Sequence, residues 1–215
     1  MTKEPPSPDE PSLDAAYALQ TPQDSVRLYG DWAPDYDSGF AAEQDYQLHA
    51  HVARAFHSAG GQGPVLDVGA GTGLCGEVLA RLGVGPVDGI DISPEMLAMA
   101  QSKKVYRRLT VADLYAGVPG RRAAYAGIVS SGTFTNGHVG PEVLLDLLAV
   151  GRPDALVAMS VNAHHYAAKG FAAVFDAMAG DRLTGLSLMQ TRIYGEQGQG
   201  DHAKDLAFIV TFRLL

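Results

Sequence analysis

Apolar positions along the chain fall into two rhythms, and their alternation sets the expected architecture. Leu48, Val52 and Phe56 recur at four-residue spacing, which predicts a helix from about Ala42 to Ala59 with one apolar stripe. A shorter helix is expected from Asp24 to Asp31, ending before Trp32-Ala33-Pro34. After Gly60-Gly61 the apolar runs become short and continuous. Pro64–Val68, Val87–Ile92, Val105–Val111, Ala124–Ser130 and Ala155–Val161 read as buried strands. Between them Leu74–Leu82, a segment ending near Ser102 and another opened by Pro141 read as helices, and Tyr166–Ala179 follows the last strand as one more. Ser93-Pro94-Glu95 has the order a helix start needs: a capping hydroxyl, a proline in the first turn and an acid near the positive end.

The ending changes rhythm. Leu183–Tyr194 and Leu206–Leu214 are strand-like, joined by a glycine-rich stretch over residues 195–202 without a helix, so an antiparallel hairpin is expected. Together these elements predict an α/β fold: a doubly wound, Rossmann-like sheet of seven strands, mostly parallel, with an antiparallel C-terminal hairpin strand. Ligands of such sheets bind beyond the carboxyl ends of the strands, where strand order reverses. The loops after residues 68, 92, 112 and 130 should therefore share one pocket.

Composition narrows the picture. Residues 1–22, with Pro5, Pro6, Pro8 and Pro11 among Glu4, Asp9 and Glu10, are expected to form a mobile acidic tail. Residues 23–215 then form one domain, with 23–59 as an N-terminal helical lid. A formal net charge of −8 repels phosphate backbones, so a small-molecule substrate is expected and nucleic acid is not. The single cysteine, Cys75, excludes a disulfide framework, and neither His49 with His51 nor the adjacent His164-His165 has metal-ligand spacing. No apolar run spans a bilayer and no secretory leader pattern opens the chain, so a cytoplasmic protein without a membrane partner is expected. Oligomeric state is not legible.

Candidate chemistry begins where the first strand ends, in Asp67-Val68-Gly69-Ala70-Gly71-Thr72-Gly73. Glycines there let the backbone turn sharply and let a ligand touch main-chain atoms. Gly71-Thr72-Gly73-Leu74-Cys75-Gly76 also matches the dinucleotide fingerprint, so an NAD-type oxidoreductase is a rival reading. Charge discriminates between them. A diphosphate on this turn would sit close to Asp67, whereas the ammonium and sulfonium of S-adenosylmethionine would be favoured by it, directly or through water. Asp91, closing the second strand, can accept both ribose hydroxyls, and Ile92 and Met96 offer apolar contacts to adenine. Asp113 and the Leu114 amide are expected to bond the adenine edge. Each acid also has an ordinary reading, Asp91 as a helix-entry residue and Asp113 as a turn former.

At these residues the chain resembles the class I S-adenosylmethionine-dependent methyltransferases, over about residues 25–215. Asp67–Gly73 resembles their first motif, Asp91 the ribose-binding acid, Asp113 the adenine-binding acid, and the closing hairpin their antiparallel seventh strand. Leu28–Asp37 resembles the entry segment of the small-molecule branch. With Val129–Val139 it is similar to the methyltransferase-like proteins named for the Williams–Beuren deletion region. The resemblance implies S-adenosylmethionine as cofactor, with Tyr29, Tyr36, Ser130 and Ser131 joining the cofactor contacts. Ser131-Gly132-Thr133-Phe134 departs from the Asn/Asp-Pro-Pro-aromatic turn of enzymes that methylate adenine or glutamine nitrogen, which disfavours that chemistry.

In-line methyl transfer needs alignment and water exclusion more than it needs a base. His138 is the candidate base or substrate contact, against the alternative of a loop histidine after Asn136-Gly137. Trp32, Thr133, Asn136, His164 and His165 are candidate substrate contacts, and Tyr29, Trp32 and Tyr36 either close a lid or anchor the leading helix. A catalytically silent protein that binds S-adenosylmethionine is a third reading.

Overall fold

The computed structural model describes residues 11–215. Strands β1 (Val65–Val68), β2 (Val87–Asp91), β3 (Arg108–Val111), β4 (Tyr125–Phe134), β5 (Gly151–Asn162), β6 (Leu183–Arg192) and β7 (Leu206–Leu214) form one sheet. Their order is β3-β2-β1-β4-β5-β7-β6. The first five run parallel, and β7 enters antiparallel between β5 and β6. That is the expected fold class. β7 takes the inner place because its Ala207, Ile209, Val210 and Phe212 are buried, whereas most of β6 is exposed and suits an edge.

Helices α1 (Leu13–Tyr17), α2 (Pro22–Trp32), α3 (Leu48–Ser58), α4 (Leu74–Arg81), α5 (Pro94–Ser102), α6 (Leu144–Leu148), α7 (Ala163–Ala168) and α8 (Phe171–Met178) accompany the sheet. On one face Val52 and Phe56 of α3 and Leu79 of α4 pack on Val65, Val129 and Ile209. On the other, Leu144 and Leu147 of α6 and Phe171 and Phe175 of α8 pack on Ile128, Val157 and Phe212. Strand order reverses between β1 and β4, so the ends of those strands open the crevice in which ligands of this topology bind.

Several boundaries differ from expectation, each for a local reason. The expected mobile tail over residues 1–22 includes ten residues that lie outside the described ones. Its later part is ordered: Leu13–Tyr17 is helical, with Ser12 capping it and Ala16 buried. Tyr17 donates to Asp205 Oδ2 at 3.3 Å, so tertiary contact supplies what this segment lacks by itself. Helix α2 starts earlier than Asp24 because Thr21 and Asp24 form a reciprocal capping box behind Pro22.

The expected helix from Ala42 splits. Tyr36–Ala41 is a π-helical turn, Asp45 sits at φ +51°, and regular helix begins only at Leu48. The chain bends there because Tyr46 bridges to Tyr194 beside the last strands. Tyr166–Ala179 likewise divides into α7 and α8 at Gly170, whose φ of +70° no helix interior accepts.

Candidate functional site

One cavity of about 330 Å³ opens at the reversal point, over the carboxyl ends of β1, β2 and β4 and beneath α1, α2 and the π-helical turn. The loops after residues 68, 92 and 112 reach it, as expected, whereas the stretch after 130 reaches it as a continuation of β4, which runs on to Phe134. Gly69, Ala70, Gly71 and Thr72 form its floor. Gly69 and Gly71 hold φ of +67° and +55°, where L side chains are strained. A Cβ on Gly69 would collide with the Thr133 side chain, whereas one on Gly71 would meet only open space.

Asp91 is fixed by two backbone donors. Gly71 N–H gives to Oδ2 at 2.8 Å and Ser93 N–H to Oδ1 at 2.9 Å. Each carboxylate oxygen has a second lone pair, so the group keeps acceptor capacity on the cavity wall. Burial pushes its pKa upward against the pull of those bonds. Asp113 accepts the Tyr115 N–H at 2.9 Å, a turn-forming bond, and still lines the cavity. Ile92, Met96 and Leu114 supply apolar wall between the two acids.

Asp67 is placed differently from expectation. It is fully buried and absent from the cavity wall. Its Oδ2 accepts the Tyr106 hydroxyl at 2.7 Å, and its Oδ1 has no partner. Burial raises its pKa to about 7, with the Tyr106 bond opposing. Tyr106 packs where Cβ atoms on Gly73 and Gly76 would otherwise stand, so the first motif closes over this tyrosine. No periodicity or motif pointed to Tyr106. Val68, Gly73 and Ser130 also lie off the wall. Their work is structural: Ser130 and Thr133 hydroxyls donate to the Val68 carbonyl at 2.8 and 3.0 Å, tying β4 to the end of β1.

Among the substrate candidates, Trp32, Thr133 and His138 line the cavity with Ser131, while Asn136, His164 and His165 do not. Asn136 Oδ1 lies 3.3 Å from His164 Nδ1. His165 Nε2 lies 2.9 Å from the Val139 carbonyl, and both histidine amides give to Asn162 Oδ1 at the start of α7. These two histidines serve the helix entry and its packing.

His138 has both ring nitrogens engaged. Nδ1 faces the Asn136 carbonyl at 2.8 Å and therefore carries the proton, leaving Nε2 to accept the Tyr29 hydroxyl at 3.0 Å. Burial lowers its pKa, so the ring is neutral at pH 7.

Other wall residues escaped sequence reasoning: Tyr17, Phe40, Tyr46, His49 and Tyr194. Tyr17 lies in the expected tail and Tyr46 in an expected helix, so neither carries a signal. The rings of Trp32 and Phe40 (4.7 Å), Trp32 and Tyr36 (5.4 Å) and Tyr46 and Tyr194 (6.2 Å) make a continuous aromatic wall. His49 stacks on Tyr46, has a buried Nδ1 without a partner, and is held neutral with its pKa lowered to about 4, chiefly by burial. The π-helical turn is pinned to the glycine loop: Thr72 donates to Asp37 Oδ1 at 2.5 Å, and Lys103 Nζ bonds Asp37 at 2.6 Å and Glu77 at 2.9 Å.

Glycine floor, second-strand acid and third-strand acid thus meet in one crevice of a sheet closed by an antiparallel strand, and residues 65–154 match the family model described as a methyltransferase domain. The chain has the class I methyltransferase fold, with a methyltransferase domain over those residues. Human methyltransferase-like protein 27 is 28% identical over 152 residues, covering 69% of this chain and 62% of the relative. The 18S rRNA (guanine(1575)-N(7))-methyltransferase of Saccharomyces cerevisiae is 38% identical over 66 residues, covering 31% of this chain and 24% of the relative. The chain therefore spans less than two thirds of the length of either curated relative. Among solved structures, the DhpI complex with S-adenosylhomocysteine superposes with a TM-score of 0.63 at 18% identity, over 90% of this chain and 96% of that one. That likeness is one of fold. Among the described residues no helix is long and apolar enough to cross a membrane, and no group of three or more His, Cys, Asp or Glu is placed to hold a metal ion.

Proposed function

We propose that the chain binds S-adenosylmethionine in this cavity and transfers its methyl group to a small-molecule acceptor. The observation that carries the reading is Asp91, a half-buried carboxylate held by Gly71 and Ser93 amides with lone pairs left toward the cavity. It is the arrangement that takes a vicinal diol as a charge-assisted pair. In this reading Asp91 holds the ribose hydroxyls, Asp113 and Leu114 the adenine edge, and Ile92 and Met96 the adenine faces. Gly69, Ala70, Gly71 and Thr72 give the amino-acid end close access to the backbone. Tyr29, Tyr36 and Ser131 complete the wall. Asp67, beneath the loop, acts by fixing its shape through Tyr106 and by its field, and makes no direct contact.

When bound, S-adenosylmethionine supplies an electrophilic methyl on a good leaving group. The chain contributes alignment and a dry enclosure. Residues 23–59, with α1 ahead of them, form the lid, and Asp37 latches it to Thr72 and Lys103. Trp32, Thr133 and His138 face the acceptor. With its Nε2 occupied by Tyr29, His138 orients Tyr29 and accepts a proton only once that hydroxyl is displaced.

One relative named above acts on ribosomal RNA, and its likeness covers only 66 residues. The net charge of −8 favours a small acceptor over nucleic acid here. Titration calorimetry with S-adenosylmethionine, S-adenosylhomocysteine and NAD tests the cofactor. Binding of both sulfur compounds is expected, and binding of NAD alone would overturn the reading. A labelled-methyl screen against a metabolite extract then separates an enzyme from a silent binder.

A further inference from the structure

Resting on that reading, we infer that the acceptor is an uncharged, flat aromatic molecule, and that anionic acceptors such as carboxylates, sulfonates, phosphate esters and RNA are rejected by the chamber itself. Among the described residues, no lysine or arginine lines the cavity, and its only charged side chains are Asp91 and Asp113. The nearby cation, Lys103, lies off the wall and is neutralised by two carboxylates, Asp37 and Glu77. An anion entering would lose its hydration without gaining a charged partner, which the interior penalises heavily. Even with the net positive charge of S-adenosylmethionine in place, the two aspartates leave the formal charge of the chamber negative.

The polar groups on the acceptor side point the same way. His49 and His138 are neutral imidazoles, and burial keeps the Tyr29, Tyr46 and Tyr194 hydroxyls protonated. They offer neutral hydrogen bonds, enough to orient a hydroxyl or ring nitrogen but not to hold a formal charge. What dominates is ring surface. Phe40 lies 6.1 Å from Tyr46, which lies 6.2 Å from Tyr194, and the Trp32 and Tyr29 rings stack at 6.1 Å. Such walls favour a planar guest through apolar burial and edge or face contacts.

Naphthol and naphthol sulfonate, titrated into protein saturated with S-adenosylhomocysteine, test this by differing in one charge. Naphthol is expected to bind at least about tenfold more tightly. Equal or tighter binding of the sulfonate, or no binding of naphthol, overturns the inference. Gln20→Arg, at an exposed position on the cavity rim, is expected to narrow the ratio by supplying the missing cation, and an unchanged ratio counts against the electrostatic cause. Failure of S-adenosylhomocysteine to bind at all would instead remove the cofactor reading, so the two failures are distinguishable.

Discussion

Asp67→Asn should stabilise the ligand-free protein at neutral pH while weakening it as a cofactor binder. Asp67 is fully buried, one oxygen is unpartnered, and its pKa is raised from the ordinary 3.8 to about 7, mainly by burial. A carboxyl group with a raised pKa binds its proton more tightly in the folded chain than in the unfolded one. Its contribution to stability is therefore complete below about pH 4 and is lost as pH rises toward about 7. A rise of that size corresponds to about 4 kcal/mol lost across the window. Asparagine has no charge to desolvate, and its carbonyl can still accept the Tyr106 hydroxyl that now bonds Oδ2 at 2.7 Å. The assay is chemical denaturation of wild type and variant from about pH 4 to 8, with and without S-adenosylmethionine. The variant should lose the downward slope between about pH 4 and 7, and saturating cofactor should flatten that slope in wild type by favouring the ionised form. Parallel pH profiles, or a variant less stable than wild type at about pH 8, would refute the account of Asp67 as a carboxylate kept for its charge and not for stability.

Three further outcomes follow from the same geometry. Asp91→Ala removes the acceptor held between Gly71 and Ser93 and should weaken S-adenosylhomocysteine binding by about 1.5–3 kcal/mol in calorimetry, an effect absent if the ribose lies elsewhere. Asp37→Ala breaks the bonds from Thr72 and Lys103 and should cost about 1–2 kcal/mol of cofactor affinity while speeding proteolysis near residues 36–45; equal cleavage rates would argue against a latch. Phe56→Ala empties the space that Gly61 and Gly127 leave for its ring and should cost about 3–5 kcal/mol in denaturant unfolding without altering the ligand contacts.

The alternation of strands with helices and the acids of the candidate site were legible because both are local signals. Short apolar runs between amphipathic segments mark parallel strands, and the topology rule then assigns the ligand to their carboxyl ends, where Gly69, Gly71, Asp91 and Asp113 do meet. The N-terminal helical segment was legible only in outline. A helix read through Ala42–Ala59 misses the bend at Asp45, because nothing local announces that Tyr46 will pair with Tyr194.

Sequence by itself determined which segments are buried, how they alternate, and which backbone positions must be free of side chains. Tertiary structure alone decided which polar groups face the cavity. Asp67 and Asp91 look equivalent as acids near the ends of adjacent strands, yet one lies under the loop on Tyr106 and the other on the cavity wall between two amides. The physical reason is register: Asp67 lies opposite Gly89, inside the sheet, so Asp91 reaches two residues further toward the carboxyl ends, and the Tyr106 that meets Asp67 comes from a distant part of the chain. Tyr106 and His49 have no signature in spacing, and only packing reveals that one consumes a carboxylate oxygen and the other is left with a free nitrogen.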